Sequence, residues 1–264
     1  MLHTTRDAAQ SQPLGDLALA VCGSCGCIQN DEFDPKAVDY SAPYEESQGA
    51  SATFNTFVDE QLDSLGSRHD LRGKQLLEVG CGKAEWLGRA CEQFECTGIG
   101  YDPSYVPGRT DEGVGRFVVM NEFFDGETDV EADLVACRHT LEHVANVGDL
   151  LRWMGKAASG DPGVVFIEVP DTQRILNEGA FWDVYYEHAA YFTKLSLENL
   201  HRHSGFELLS LETGFSDQYL LSEGRSSSSA PAALLNPADV ITSARSFGRL
   251  ASAEVERWKA KMRE

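Results

Sequence analysis

Basic residues are scarce in this sequence: 22 Lys and Arg stand against 42 Asp and Glu, a formal charge of −20 over 264 residues. So acidic a chain repels a polyanion, whose binding depends on cations that neutralise phosphates, and nucleic acid is not an expected partner. The acidity reads as a solvating surface. No run of about 18 apolar residues occurs, so no membrane span is expected. The N-terminus lacks a basic segment followed by an apolar one, which predicts a cytoplasmic chain with reduced thiols. The first 21 residues hold no cysteine, so Cys22-Gly-Ser-Cys25-Gly-Cys27 has no upstream pair with which to complete a four-cysteine zinc site. Its C-x-x-C spacing is half of such a site. Zinc held with the help of Cys27 or His3 is the open alternative, and reduced thiols are the favoured state.

What is present is an ordinary globular composition, 42% hydrophobic and 24% charged. Residues 1–50 read as an N-terminal knuckle and substrate-side segment, with Phe33, Tyr40 and Tyr44 in a loop-rich stretch, and residues 51–222 as the main domain. Residues 223–264 read as a linker, Arg225-Ser-Ser-Ser-Ser-Ala-Pro-Ala, and a charged helix carrying Val240, Phe247, Val255, Trp258 and Met262. Phe54, Phe57, Val58, Leu62 and Leu65 recur at helical spacing over residues 51–65. Strand-like runs at 75–79, 96–101, 116–120, 132–137 and 163–169 alternate with helix-like runs at 84–94 and 147–158. A short helix at 195–204 and a hairpin of 207–211 with 218–221 follow. This alternation predicts an α/β fold, a Rossmann-like, mainly parallel sheet with helices on both faces.

The sharpest motif is Glu78-Val79-Gly80-Cys81-Gly82-Lys83-Ala84, at the end of the first strand of that domain. A dinucleotide turn would need glycine at position 85, where Glu85 would oppose a pyrophosphate, and a Walker sequence fails because Ala84 follows Lys83. Asp102 closes the next strand 22 residues after Gly80, near the ~20-residue offset at which a carboxylate meets ribose hydroxyls. The pattern suits a nucleoside cofactor with a zwitterionic tail and no phosphate. A lone Gly-x-Gly is otherwise only a tight turn.

Over residues 70–212 the chain resembles the class I S-adenosylmethionine-dependent methyltransferases. Leu77-Glu78-Val79-Gly80-Cys81-Gly82 matches their first motif, Gly98-Ile99-Gly100-Tyr101-Asp102 their second, and the run Asp133 to His143 their fourth-strand motif. Ala84 replaces their usual third glycine. The resemblance implies S-adenosylmethionine as cofactor, contacted by Glu78, Gly80, Gly82 and Asp102, with Asn121 or Glu122 near the adenine and Arg138 and His139 lining the pocket.

A narrower resemblance, over residues 22–222, is to the C-methyltransferases of nucleotide-linked deoxysugars. The cysteine knuckle, the loop from Tyr40 to Ser47 and above all Tyr185-Tyr186-Glu187-His188-Ala-Ala-Tyr191-Phe192-Thr193 carry it, although Tyr186 stands where that family has histidine. It implies His188 as general base, supported by Tyr185 and Glu187. A carbon acid beside a ketone needs a base near neutral pKa. Packing of a lid onto the sheet is the alternative role for this run. His139, Glu142 and His143 have the spacing of a metal pair with a carboxylate between, yet the resemblance favours no metal there, with His143 structural. His201 and His203 read as surface residues, and Cys81, Cys91, Cys96 and Cys137 as small apolar core fillers.

The resembled family continues into a further Rossmann-like domain after a helix like the last one here. A homodimer, or a partner supplying a missing C-terminal domain, is therefore among the expectations. Gln218-Tyr219-Leu220-Leu221 also departs from the sugar enzymes. Three functions follow, in order: C-methylation of a keto sugar or related small molecule, O- or N-methylation in natural-product biosynthesis, and non-catalytic binding on the same fold.

Overall fold

The computed structural model describes residues 5–11, 14–38, 48–107, 115–228 and 232–261. His3, Tyr40, the loop from Tyr44 to Ser47, Met262 and Ser229 to Pro231 of the linker lie outside the described residues. A short helix α1 (Arg6–Gln10) precedes the strands β1 (Leu19–Val21) and β2 (Ile28–Asn30), whose connection carries Cys22, Cys25 and Cys27. Then come α2 (Ala52–His69), β3 (Gln75–Val79), α3 (Glu85–Gln93), β4 (Thr97–Tyr101), β5 (Phe117–Met120), β6 (Leu134–Arg138), α4 (Val147–Ala157) and β7 (Val164–Pro170). The chain closes with α5 (Thr172–Glu178), β8 (Ala190–Tyr191), α6 (Lys194–His203), β9 (Phe206–Gly214), β10 (Tyr219–Ser226) and α7 (Ala238–Lys261).

The expected α/β architecture is what forms. A seven-stranded sheet runs in the order β5-β4-β3-β6-β7-β10-β9. Its first five members pair in parallel, and β10 and β9 close the edge antiparallel. The chain winds outward from β3 through β4 to β5, then returns to place β6 on the other side of β3. Such a reversal opens a crevice at the carboxyl ends of the strands, the usual ligand position in a sheet of this kind. Leu76, Leu77, Leu134, Val135, Val164 and Val165 are fully buried, because both faces of these central strands are covered.

Three expectations are corrected. Arg225 and Ser226 belong to β10, not to a linker, because β10 inserts between β7 and β9 and its ladder runs on to Ser226↔Phe206. His201 is not a surface residue: β10 covers that face of α6, leaving it 0% exposed with Nε2 3.1 Å from Ser222 Oγ. The N-terminal hairpin is not a free-standing knuckle, since β2 pairs with β8 to make a second sheet, β1-β2-β8. Among the described residues no helix is long and apolar enough to cross a membrane.

Candidate functional site

The turn after β3 sits at the reversal point. Gly80 has φ 71°, and a Cβ there would fall 2.1 Å from Thr140 Oγ1, so both backbone conformation and space demand glycine. Thr140 Oγ1 instead donates to the Gly80 carbonyl at 3.2 Å and fastens the turn to the end of β6. Gly82, at φ 52°, donates its N–H to Asp102 Oδ2 at 2.8 Å. Asp102 Oδ1 accepts from Ser104 N–H at 2.8 Å and Ser104 Oγ at 2.6 Å. The carboxylate predicted from spacing thus bridges the glycine turn to the loop after β4. Ala84 adopts φ 58°, a left-handed conformation that disfavours any residue but glycine, and it starts α3 without a side-chain cap.

Glu78 is 3% exposed, and its Oε2 has no hydrogen-bond partner. Burial pushes its carboxyl up to about 8, against the opposing pull of Arg138 and the Leu87 backbone. Arg138 holds the fully buried Glu168 of β7 through Nη2–Oε1 at 3.0 Å, and its guanidinium lies 5.4 Å from the centre of the Trp86 ring. Gln61 of α2 donates to the same carboxylate while accepting from Trp86 Nε1 at 2.9 Å. Burial would raise Glu168, but Arg138, His139 and Gln61 hold its carboxyl down at about 2. His139 Nε2 lies 2.6 Å from Glu168 Oε1. The φ of His139 is 49°, a strained setting for a histidine and of the kind often found at functional sites.

Asn121 does not line the cavity and neither does Glu122; Phe123, Phe124 and Asp125 do. The Asn121 amide donates to the carbonyls of Asp102, Pro103 and Tyr105, the last two at 2.9 Å, so it latches the loop that carries Asp102. The aromatic pair after the third strand of the domain was the overlooked signal.

The segment 185–188 folds into a turn whose imidazole meets another. His188 packs its ring against those of His143 at 4.9 Å, Tyr185 at 5.4 Å and Tyr191 at 5.5 Å. Burial, with His143 and His139 adding positive charge beside it, pushes the His188 imidazole down to about 3. His143 Nδ1 donates to the Glu187 carbonyl at 2.9 Å, and Glu142 is buried beside it, its carboxyl raised by burial. The Tyr185 carbonyl accepts from Tyr191 Oη at 2.6 Å. Tyr186 accepts from the Asp34 N–H at 3.0 Å and donates to the Glu32 carbonyl at 3.2 Å, which ties this turn to residues 32–34.

A single cavity of about 1460 Å³ joins these parts. Glu78, Gly80, Gly82, Asp102, Arg138 and His139, the residues expected near the cofactor, line it; of the expected base and its supports, Tyr185, Glu187 and His188, none does, whereas His143 does. Of the His143–His188 pair, His143 is therefore the imidazole at the wall, and His188 packs against it from behind. In the cysteine hairpin Cys22 is exposed, while Cys27 is driven up to about 12 by burial, with Cys25 and Cys22 adding to the shift. Cys81, Cys91, Cys96 and Cys137 are buried, as expected of core fillers.

The reversed parallel sheet and its glycine-and-carboxylate crevice define a Rossmann-like α/β protein. Residues 53–211 match the family model described as a methyltransferase domain, and the chain belongs to that family. Its fold is similar to magnesium protoporphyrin IX methyltransferase from Synechocystis PCC 6803 with bound S-adenosylhomocysteine: TM-score 0.54, 13% identity, 69% of this chain and 90% of that one. Another similar structure is the 1,6-didemethyltoxoflavin-N1-methyltransferase of Burkholderia thailandensis, with its substrate and S-adenosylhomocysteine, at TM-score 0.51 and 15% identity over 76% of this chain and 96% of that one. The cyclase SpnF is similar too, at TM-score 0.54 and 16% identity over 70% and 86%. At these identities the likeness is one of fold. No curated protein matches the sequence.

Proposed function

We propose that this chain transfers a methyl group from S-adenosylmethionine to a small molecule. The observation that carries the reading is that one cavity joins the glycine turn and Asp102 to the imidazoles of His139 and His143. The residues present suit the cofactor. Gly80 and Gly82 keep side chains off the cavity wall at the turn, the Asp102 carboxylate lies beside that turn where ribose hydroxyls would be held, and the buried Glu78 Oε2 has no hydrogen-bond partner. When bound, the cofactor supplies an electrophilic methyl on a sulfonium that leaves as a neutral thioether. The protein then aligns the acceptor and assists loss of its proton.

We place the acceptor side at the part of the cavity wall around His143. Its histidines activate the acceptor, with His143 at the wall and His188, Tyr185 and Glu187 forming the structure behind it. A carbon acid next to a ketone, as in a nucleotide-linked keto sugar, is the acceptor that most needs such help. O- or N-methylation is the second reading, favoured by the position of Tyr185, Glu187 and His188 off the cavity wall. Calorimetric titration with S-adenosylmethionine tests the class: micromolar binding that Asp102→Ala weakens by roughly ten- to a hundredfold supports it, and preference for NAD overturns it. A mass-spectrometric screen for metabolites gaining one methyl group identifies the acceptor.

A further inference from the structure

His139 and His143, four residues apart, have the spacing of a metal pair, but the fold separates them. His139 turns Nε2 to Glu168 at 2.6 Å. His143 meets His188 instead, 45 residues further along the chain, with the two rings nearly perpendicular at 86°. Glu142 completes the group: it is 2% exposed, its Oε2 has no hydrogen-bond partner, and one ligand atom from each of Glu142, His143 and His188 lies within 4.8 Å of the others. His143 Nδ1 donates to the Glu187 carbonyl at 2.9 Å. A carbonyl can only accept, so Nδ1 carries the proton in this bond, and a backbone partner of this kind commonly orients a metal-ligating histidine. The 3-10 turn Leu141–His143 holds Glu142 and His143 in place, and the His188 N–H donates to the Tyr185 carbonyl at 3.2 Å.

We propose that Glu142, His143 and His188 bind one divalent transition-metal cation at the acceptor side of the cavity. Two imidazoles and one carboxylate are a ligand set that suits zinc, cobalt, manganese or iron(II), and three protein ligands leave a coordination position open. Of the three residues, His143 lines the cavity, which brings the proposed site to its wall. The inference rests on the reading that the acceptor occupies this part of the cavity, and it specifies how the histidines act: they would hold a cation that, as a Lewis acid, would bind an acceptor oxygen and lower the pKa of the neighbouring proton, which would pass to water as the methyl leaves the sulfonium. The titratable group facing the site from the adjoining loop is His139, whose Nδ1 lies 3.9 Å from Glu142 Oε1.

The test is a titration of Co²⁺ into the full chain carrying Cys22→Ser and Cys25→Ser, which removes the exposed thiols as competing ligands. Saturable binding of one Co²⁺ per chain is expected, with visible d–d bands and no thiolate charge-transfer band. Glu142→Gln and His143→Gln should each weaken it by about tenfold or more, while thermal melts show both variants folded. If Co²⁺ fails to bind, or binds unchanged in the folded variants, the metal site is overturned. S-adenosylmethionine titration of the same samples separates the two readings. Cofactor binding without cobalt binding sinks only the metal, and cobalt binding without cofactor binding sinks the methyltransferase reading beneath it. Should Glu142→Gln unfold, His143→Gln carries the decision.

Discussion

The two ends of the cavity are made in different ways. The cofactor end is backbone: Gly80, Gly82 and the β4 loop lie at the tips of neighbouring parallel strands, and hydrogen bonds from Gly82, Ser104 and Asn121 set the geometry. The side at which we place the acceptor is built from side chains: His143 and His188 come from segments far apart in the chain and meet only when the fold is complete, as do Gln61 and Glu168 beside Arg138. A strand-end turn is specified locally and tolerates change around it. A cluster of buried ionisable groups is specified by everything that surrounds it.

If the ends are as separate in function as in construction, substitutions should split binding from turnover. The largest effect belongs to His143→Ala, which should lower turnover by ~10²–10⁴-fold while calorimetry shows S-adenosylmethionine affinity unchanged. His188→Ala should follow it more weakly, and Glu187→Gln more weakly still, because His143 uses the Glu187 backbone and not its carboxylate. Parallel loss of cofactor affinity in His143→Ala would erase the division. Next is Asp102→Ala, which removes a charged acceptor worth about 1.5–3 kcal/mol per bond. It should weaken cofactor binding by roughly ten- to a hundredfold.

A smaller effect is expected at Glu78. Its folded pKa of about 8 lies above the ordinary 4.5, so its stabilising contribution is fully present below the ordinary value and is lost as pH rises through about 8. Glu78→Gln should flatten the fall in stability between those two values, read as Tm against pH. An unaltered slope would show that Glu78 ionises normally. The smallest is Asn121→Ala, which should lower stability by about 1 kcal/mol through loss of the loop latch and leave turnover at saturating cofactor intact.

The same division governs what could be read from the chain alone. Glu78, Gly80, Gly82 and Asp102 were legible because strand spacing fixes where turn glycines and the next strand's carboxylate fall. The β6 tip was partly legible, with Arg138 and His139 placed on the cavity and His143 taken as structural. Glu168 went unnoticed, yet a glutamate inside Val-Val-Phe-Ile-Glu-Val-Pro is a charge in a strand buried on both faces, and such a charge requires a partner. His201 and Arg225 were misassigned for one reason: β10 covers α6 and joins β7, and nothing local announces a strand that arrives from the far end of the domain.

The small β1-β2-β8 sheet gives the acceptor end a mechanical property. Ile28 pairs with Tyr191, and Tyr186 clasps the backbone of Glu32 and Asp34. Phe33, on the cavity wall, and His188, behind it, therefore ride on one lever. Any movement of Phe33 at the cavity wall would be passed through this sheet to the His143–His188 ring pair, and entry of an acceptor would then be tied to the setting of the group that we propose acts on it.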